Sequence, residues 1–257
     1  MSEHVFEGLD GQVRDRTKTM LMYFIVFAIT MLFAGFTSAY IVSNMGQFWV
    51  HVPAPQMFWL SNALIALSSA SLWWATTSIR AGRKQNGLLG LGITLALGVG
   101  FTITQAEGWR DLASVGMGWD TTDTDLGTAF RWNNLAAIYE SEAVYGQDYD
   151  FRYDGQVLLH DAARGELYAP DDALMVQPIT TKVLQSSNSG GGYIWALVMV
   201  HILHLVFGLI YVVVNGIRVY TGVIHAEDSV RLKATGIYWH FLGLLWLYLF
   251  AFLFLFH

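Results

Sequence analysis

The sequence predicts an all-α membrane protein: a five-transmembrane-helix bundle with an extracytoplasmic insertion between helices 3 and 4. Three observations carry that prediction. Hydrophobic residues make up 54% of the 257 and charged residues only 13%. Five stretches, residues 19–43, 57–79, 88–106, 193–215 and 235–256, have no Lys, Arg, Asp or Glu in their interiors, and each is long enough to cross a hydrocarbon core of about 30 Å. The charges collect between those stretches, with opposite signs on the two faces.

The first 18 residues carry Glu3, Glu7, Asp10, Arg14, Asp15, Arg16 and Lys18. They are too polar and acidic for a secretory leader, so 1–18 is read as a cytoplasmic segment and the first span as a retained anchor. Arg14, Arg16 and Lys18 precede span 1; Arg80, Arg83 and Lys84 join spans 2 and 3; Arg218, Arg231 and Lys233 join spans 4 and 5. All nine lie on one face, whereas the connection 44–56 on the other has neither Lys nor Arg. The positive-inside rule therefore puts the N-terminus in the cytoplasm, and five crossings put His257 outside. Residues 19–115 are assigned to helices 1–3, 116–188 to the insertion and 189–257 to helices 4 and 5.

The segment 108–190 then faces outward. It has thirteen acidic residues against five basic ones, a net charge of −8. Trp119, Phe130, Trp132, Tyr139, Tyr145, Tyr149, Phe151, Tyr153 and Tyr168 argue against disorder, which is poor in aromatics. Asp150 to His160 reads as a strand, an Asp154-Gly155 turn and a second strand. Residues 123–139 are expected to hold one helix, and Gln185 to Gly192 reads as a flexible tether. At about 80 residues the insertion is near the lower limit for a core of its own, so it is expected to be ordered by a partner.

Small residues write the helix packing. Gly87, Gly90, Gly92, Gly98 and Gly100 in span 3, with Ser61, Ser68, Ser69, Ala70 and Ser71 in span 2, let backbones approach where lipid offers no hydrophobic drive. Trp49, Trp59, Trp73, Trp74, Trp109, Trp195 and Trp239 lie near predicted span ends and suit interfacial belts. The chain has no cysteine, which excludes disulfides and thiolate metal sites. No nucleic-acid partner is expected.

His201 and His204 stand inside the most apolar span, where a polar side chain points to function by default. Three apart on a helix, they share a face with Gly208. Two axial haem ligands come from opposite sides of the ring plane, which neighbours three apart on one helix do not supply. A metal site would want a carboxylate or a further imidazole at matching depth. At about 1.5 Å per residue, His204 lies about 16 Å from the cytoplasmic end of its span and His240 about 7 Å into the fifth. A polar interhelical or lipid-facing pair is the favoured reading; metal ligation and proton relay are the alternatives.

The run His201-Ile-Leu-His204-Leu-Val-Phe-Gly208 and the run Tyr238-Trp239-His240-Phe241 through Trp246 to Phe250 resemble the last two helices of subunit III of haem–copper oxidases, the respiratory cytochrome c and quinol oxidases. Phe101-Thr-Ile-Thr-Gln105 with Trp109, Phe33-Ala34-Gly35 with Ala39-Tyr40, and Leu67-Ser68-Ser69 resemble that family's other helices in order. The resemblance implies the five-helix bacterial form, set in the inner membrane. It implies an accessory subunit with no catalytic, haem or copper site of its own, haem and copper lying on partner subunits. Such a subunit packs on subunits I and II, holds phospholipid and supports sustained turnover and proton uptake. The family-like positions carried over are His201, His204, Gly208, Tyr238, Trp239, His240, Phe241 and Trp246. Arg80 and Arg218, at span ends, are candidates for lipid headgroups, a guanidinium being able to fork onto a phosphate.

Two departures concern carboxylates. Ile29 and Gly243 stand where the family often has glutamate and aspartate, so proton chemistry assigned to those acids is not carried over. The third departure is the acidic insertion, about which the resemblance says nothing; a neighbouring subunit, a cytochrome c or a second respiratory complex is its expected contact. Subunit III of a quinol oxidase, a nitric-oxide-reductase accessory protein, and a transporter or lipid-handling protein are the competing functions.

Overall fold

The computed structural model describes residues 11–114, 135–140, 142–186, 190–224 and 230–255. Five long helices dominate: α1 (Gly11–Asn44), α2 (Gln56–Arg80), α3 (Lys84–Ser114), α6 (Gly190–Tyr220) and α7 (Val230–Phe250). Four segments are long and apolar enough to cross a membrane: Asp15–Asn44, Lys84–Leu112, Gly192–Tyr220 and Val230–Leu255. The protein is a mostly helical membrane protein. α2, at 25 residues shorter than α1, α3 and α6, is lightened in hydropathy by Ser61, Asn62, Ser68, Ser69, Ser71, Thr76, Thr77 and Ser78.

The helices stop where their backbones require it. After α2, Gly82 takes a positive φ of 75°, its N–H reaches the Ile79 carbonyl, and Arg83 N–H reaches that of Ser78 at 2.9 Å. The same paired bonds close α6 through Gly222 (φ 79°), whose N–H bonds Val219 while Val223 bonds Arg218. Both are Schellman ends, which only a residue free of a Cβ forms without strain. α7 passes into a π-turn over Ala251–Leu255.

The chain divides into two compact units. The first takes α1 through Phe33, then Leu60–Ile103 and Val200–Tyr248. Its glycines are contact points. A Cβ on Gly90 would meet Ala75 Cβ at 2.7 Å, and one on Gly98 would meet Leu209 at 2.8 Å and Trp239 at 3.0 Å. Gly87 faces Ile79 and Ala75 in the same way, whereas Gly92 has open space. Hydroxyls join α2 to α3 through Ser71 and Thr94 at 2.7 Å, and an amide joins α6 to α7 through Asn215 and Thr235 at 2.8 Å.

The second unit takes Ala34–Trp59, Thr104–Met199 and the chain from Leu249. Here β1 (Phe48–His51), β2 (Asp150–Tyr153) and β3 (Gln156–Val157) form an antiparallel sheet in the order β1-β2-β3. The hairpin expected at Asp154-Gly155 is present: both residues have positive φ, 47° and 79°, and Tyr153 pairs with Gln156. That is the geometry of a two-residue hairpin turn matched to strand twist. The second strand does not run on to His160, because the chain turns at buried Leu158 and starts a separate ribbon, β4 (Leu159–Asp161) with β5 (Glu166–Tyr168). The connection 44–56, expected as a plain loop, supplies β1, which pairs along its whole length with β2. Asp154 fixes it further by accepting the Gly46 N–H at 2.9 Å.

Short helices α4 (Leu135–Tyr139) and α5 (Thr180–Leu184) complete this unit. Only the end of the helix expected over 123–139 falls on described residues. The tether expected over Gln185–Gly192 is corrected at its end: Gly190–Gly192 are already the first turn of α6, and 187–189 lie outside the described residues. Tyr145 is the hub of the small core, its hydroxyl donating to the Leu158 carbonyl at 3.0 Å and accepting the Phe151 N–H at 3.3 Å. Its ring lies 4.7 Å from that of His160 and 5.5 Å from that of Tyr149. Burial pushes the hydroxyls of Tyr145 and Tyr149 up to about 12.

Candidate functional site

Helices of the first unit converge on His201. It is fully buried, and neither ring nitrogen has a hydrogen-bond partner among the described residues. Phe33 of α1 and Phe101 of α3 approach it edge-on, each with ring centroids 6.4 Å away. Trp246 of α7 lies over it at 5.6 Å and 33°. The Trp246 indole N–H donates to Asn62 Oδ1 of α2 at 2.8 Å, so the cage is itself anchored.

His204 behaves differently. It is half-buried, its ring 6.1 Å from Phe33, and its Nδ1 lies 2.7 Å from the Val200 carbonyl one turn back on α6. That distance fits an Nδ1–H donor. The interhelical bond at this level uses its backbone: the Tyr238 hydroxyl donates to the His204 carbonyl at 3.0 Å. The two imidazoles therefore share a helix face and the Phe33 ring, and among the described residues neither bonds across to another helix.

Gly208 packs closely against α7, since a Cβ there would lie 3.3 Å from Leu242, Trp239 and Tyr238. Trp239 is not an interfacial anchor; it is fully buried, and its indole N–H donates to Ser68 Oγ of α2 at 3.0 Å. Trp49 likewise leaves the belt, being 2% exposed in β1 with its N–H donating to the Tyr40 hydroxyl. Trp59 and Trp73 remain exposed, as belt residues would be. His240 is exposed and lies beside Gly236, away from the His201 cage; Phe241 is half-buried. Ile29 is buried, and Gly243 is packed so that a Cβ would stand 3.3 Å from Ser69 Oγ and 3.4 Å from Ile65. A side chain at 243 would require the Ser69 hydroxyl to give way by a few tenths of an ångström.

Among the described residues no three His, Asp or Glu side chains are grouped to hold a metal ion. Arg80 is exposed and Arg218 half-buried, and neither makes an ion pair among the described residues. Asn62 completes the site without having been singled out in the sequence, whereas Ser68, Phe33 and Phe101 were named there only for packing or family likeness. Their only signal was the serine-rich, small-residue character of the second span and the aromatic positions within the family-like runs.

No protein-family model matches the chain. A curated protein of Pylaiella littoralis named cytochrome c oxidase subunit 3 is 22% identical over 96% of this chain and 70% of its own length. The chain is similar to proteins named cytochrome c oxidase subunit 3. Subunit 3 proteins of Glycine max and Arabidopsis thaliana are each 37% identical over 51 residues, 20% of this chain. The matches to these two span about a fifth of the relatives' own length, 19% in each case. Against subunit 3 as a whole, then, similarity is sharp over one short stretch and diffuse over nearly the full chain.

Proposed function

We propose that this chain is an accessory, cofactor-free subunit of a respiratory haem–copper terminal oxidase. It crosses a bacterial inner membrane five times with its N-terminus in the cytoplasm, packs on the catalytic subunit I, holds phospholipid and supports sustained turnover and proton uptake. The carrying observation is the alignment of 96% of the chain with a protein named cytochrome c oxidase subunit 3. The interior around the described helices is built of aromatic rings and hydroxyl, amide and indole pairs, as a structural scaffold would be.

The fifth crossing is α2. Its low hydropathy is offset in part because three of its polar groups are paired with other helices of the bundle. Asn62 accepts from Trp246, Ser68 accepts from Trp239 while donating to the Ile65 carbonyl, and Ser71 pairs with Thr94. Polar groups bonded between helices are tolerated in lipid and hold the bundle together.

The acidic insertion is proposed to dock onto a neighbouring subunit or a second respiratory complex; steering a basic soluble donor is the weaker reading. The loop Asp171–Gln177 supports docking. Asp172 accepts the N–H groups of Val176 at 2.9 Å and Gln177 at 2.8 Å, which holds Leu174, 86% exposed, and Val176, 69% exposed, at a fixed tip. Rigid exposed apolar tips of this kind are interface anchors.

Affinity purification of the full chain from membranes in mild detergent tests the main reading. A haem–copper catalytic subunit is expected to co-purify, and the separated chain is expected to show no Soret band. Recovery without any haem–copper subunit, or a stoichiometric haem on the chain itself, would refute it.

A further inference from the structure

The loop Asp171–Gln177, between β5 and α5, combines a strained backbone with large apolar side chains in water. Its two ends are pinned to β5. Tyr168 bridges Pro178, the Ile179 N–H bonds the Leu167 carbonyl at 2.8 Å, and the Leu167 N–H bonds Thr180 Oγ1 at 2.8 Å. Within the loop the Met175 N–H reaches the Asp172 carbonyl at 3.0 Å, and Met175 takes a positive φ of 50°. A residue other than glycine keeps that conformation only where its surroundings over-determine it, and such strain gathers at functional sites. Here the Asp172 bonds over-determine it, and the result is that Leu174 and Val176 both stand in solvent on a loop that is already held in shape.

The charge around this loop says what covers it. Residues 135–140 and 142–186 carry nine carboxylates against three cations. All three cations are engaged within the insertion: Arg152 pairs with Asp150 at 2.8 Å, Arg164 with Asp161 at 3.6 Å, and Lys182 lies 5.7 Å over the Phe48 ring. Glu140, Glu142 and Asp171 enter no ion pair among the described residues, and Asp171 stands exposed at the root of the apolar tip. Such a surface repels a second copy of this chain, an anionic bilayer and an acidic protein, and it attracts a basic one. We infer that Asp171–Gln177 is a preformed plug for a separate protein domain that presents an apolar socket rimmed by lysine and arginine, Leu174 and Val176 entering the socket and Asp171 meeting the rim. A loop already in its docked shape loses little freedom on binding, so the apolar pair holds the partner while the carboxylates select it and speed the encounter. The inference deepens the docking reading above by fixing the partner's chemistry; it rests on that reading and not on membership of an oxidase.

The test uses the full chain in its native membranes, with the photo-crosslinking residue p-benzoylphenylalanine in place of Ala173, which is exposed beside the tip. Crosslinked peptides are sequenced by mass spectrometry. The expected product joins position 173 to a segment of a different protein that has an excess of Lys and Arg. Leu174→Ser with Val176→Ser is expected to lower its yield about tenfold, as loss of interface anchors does. Asp171→Lys keeps the apolar tip and is expected to lower the yield about fivefold, the scale of an exposed charge pair turned repulsive. Raising the salt to about 0.5 M is expected to lower it as well, and this arm needs no variant and so does not depend on how a variant folds. Crosslinks only to lipid, to a second copy or to the chain itself would refute the plug altogether, as would a yield that the paired serine substitutions leave unchanged. A crosslinked protein segment without a basic excess, insensitive to salt and to Asp171→Lys, would overturn the partner's chemistry and leave docking standing. Membership of an oxidase fails separately, on the absence of a co-purifying haem–copper subunit.

Discussion

Substituting Ser68 and Trp239 singly and together measures the bond that joins α7 to α2. Trp239 is fully buried and donates its only N–H to Ser68 Oγ, while the Ser68 hydroxyl hydrogen goes to the Ile65 carbonyl at 2.8 Å. Ser68→Ala removes the acceptor and strands a buried indole donor, a loss of about 1–3 kcal/mol in an aqueous protein. In a membrane the figure falls toward about 1 kcal/mol, because the dissociated helices find other partners. Trp239→Phe removes the donor and leaves Ser68 bonded to Ile65, so its cost comes from the void beside Gly98 and Gly208, about 1–2 kcal/mol when scaled from larger aromatic truncations. Once the indole is gone, Ser68→Ala strands nothing. The double variant is therefore expected to match Trp239→Phe, with a coupling of about 1 kcal/mol. Reversible denaturant unfolding of the purified chain in mixed micelles reads all four corners of the cycle. Strict additivity, with a coupling under about 0.3 kcal/mol, would mean that the bond does not hold the helices and would refute the reasoning.

Gly90→Ala forces its new methyl against Ala75 and is expected to lower the thermal midpoint by the equivalent of about 1–3 kcal/mol, whereas Gly92→Ala meets open space and is expected to hold or raise it; equal effects would sink the packing assignment. His204→Leu removes only a bond to its own helix, so assembled, lipid-replete oxidase is expected to keep its oxygen consumption; outright loss of turnover would restore a proton-relay role. Leu174→Ser with Val176→Ser is expected to lose a co-purifying partner while intrinsic activity survives, and a merely salt-sensitive fall in donor rate would favour steering. Deleting 120–186 is a poorer test, because it also takes away the strand on which β1 pairs. Burial holds the Tyr145 and Tyr149 hydroxyls up to about 12 against about 10 when unfolded, so the folded state keeps protons that the unfolded state releases. Stability from this pair is full below pH 10 and is lost as pH rises from 10 to 12; near-ultraviolet dichroism tracking tyrosinate formation checks it, and loss of tertiary signal well below pH 10 would contradict it.

The long helices were legible because their signal is local: an apolar run announces itself within twenty residues. Their ends were not, since α1 begins at Gly11 and α3 continues to Ser114, carrying charged turns that hydropathy assigns to loops. The Asp154-Gly155 hairpin was legible for the same reason, as two positive-φ residues fix the turn. β1 was missed although Phe48-Trp49-Val50 has strand composition. Its partner stands beyond α2 and α3, and no neighbouring sequence reveals a pairing closed over so long a loop. Trp239 was misread because position near a span end fits an interfacial ring and a packed one equally; only the facing Ser68 decides.

The histidine pair shows how far spacing goes. Residues three apart on a helix differ by about 60° in direction, close enough to share a face and far enough for one to aim at the bundle axis and the other at its edge. His201 takes the axis, among Phe33, Phe101 and Trp246; His204 takes the edge and bonds its own turn. Sequence supplies the pair but not this division, which depends on rings from three other helices. The division bears on function. Ile29 is buried and aliphatic, and Gly243, which packs near Ser69 and Ile65, has no side chain, so at neither position does a carboxylate face the imidazoles. The interior polar groups named above are instead hydroxyls, amides and indoles bonded in fixed pairs across helices. Such pairs set distance and register between helices and carry no charge that changes near neutral pH, which suits a subunit whose contribution to its partner is shape and bound lipid.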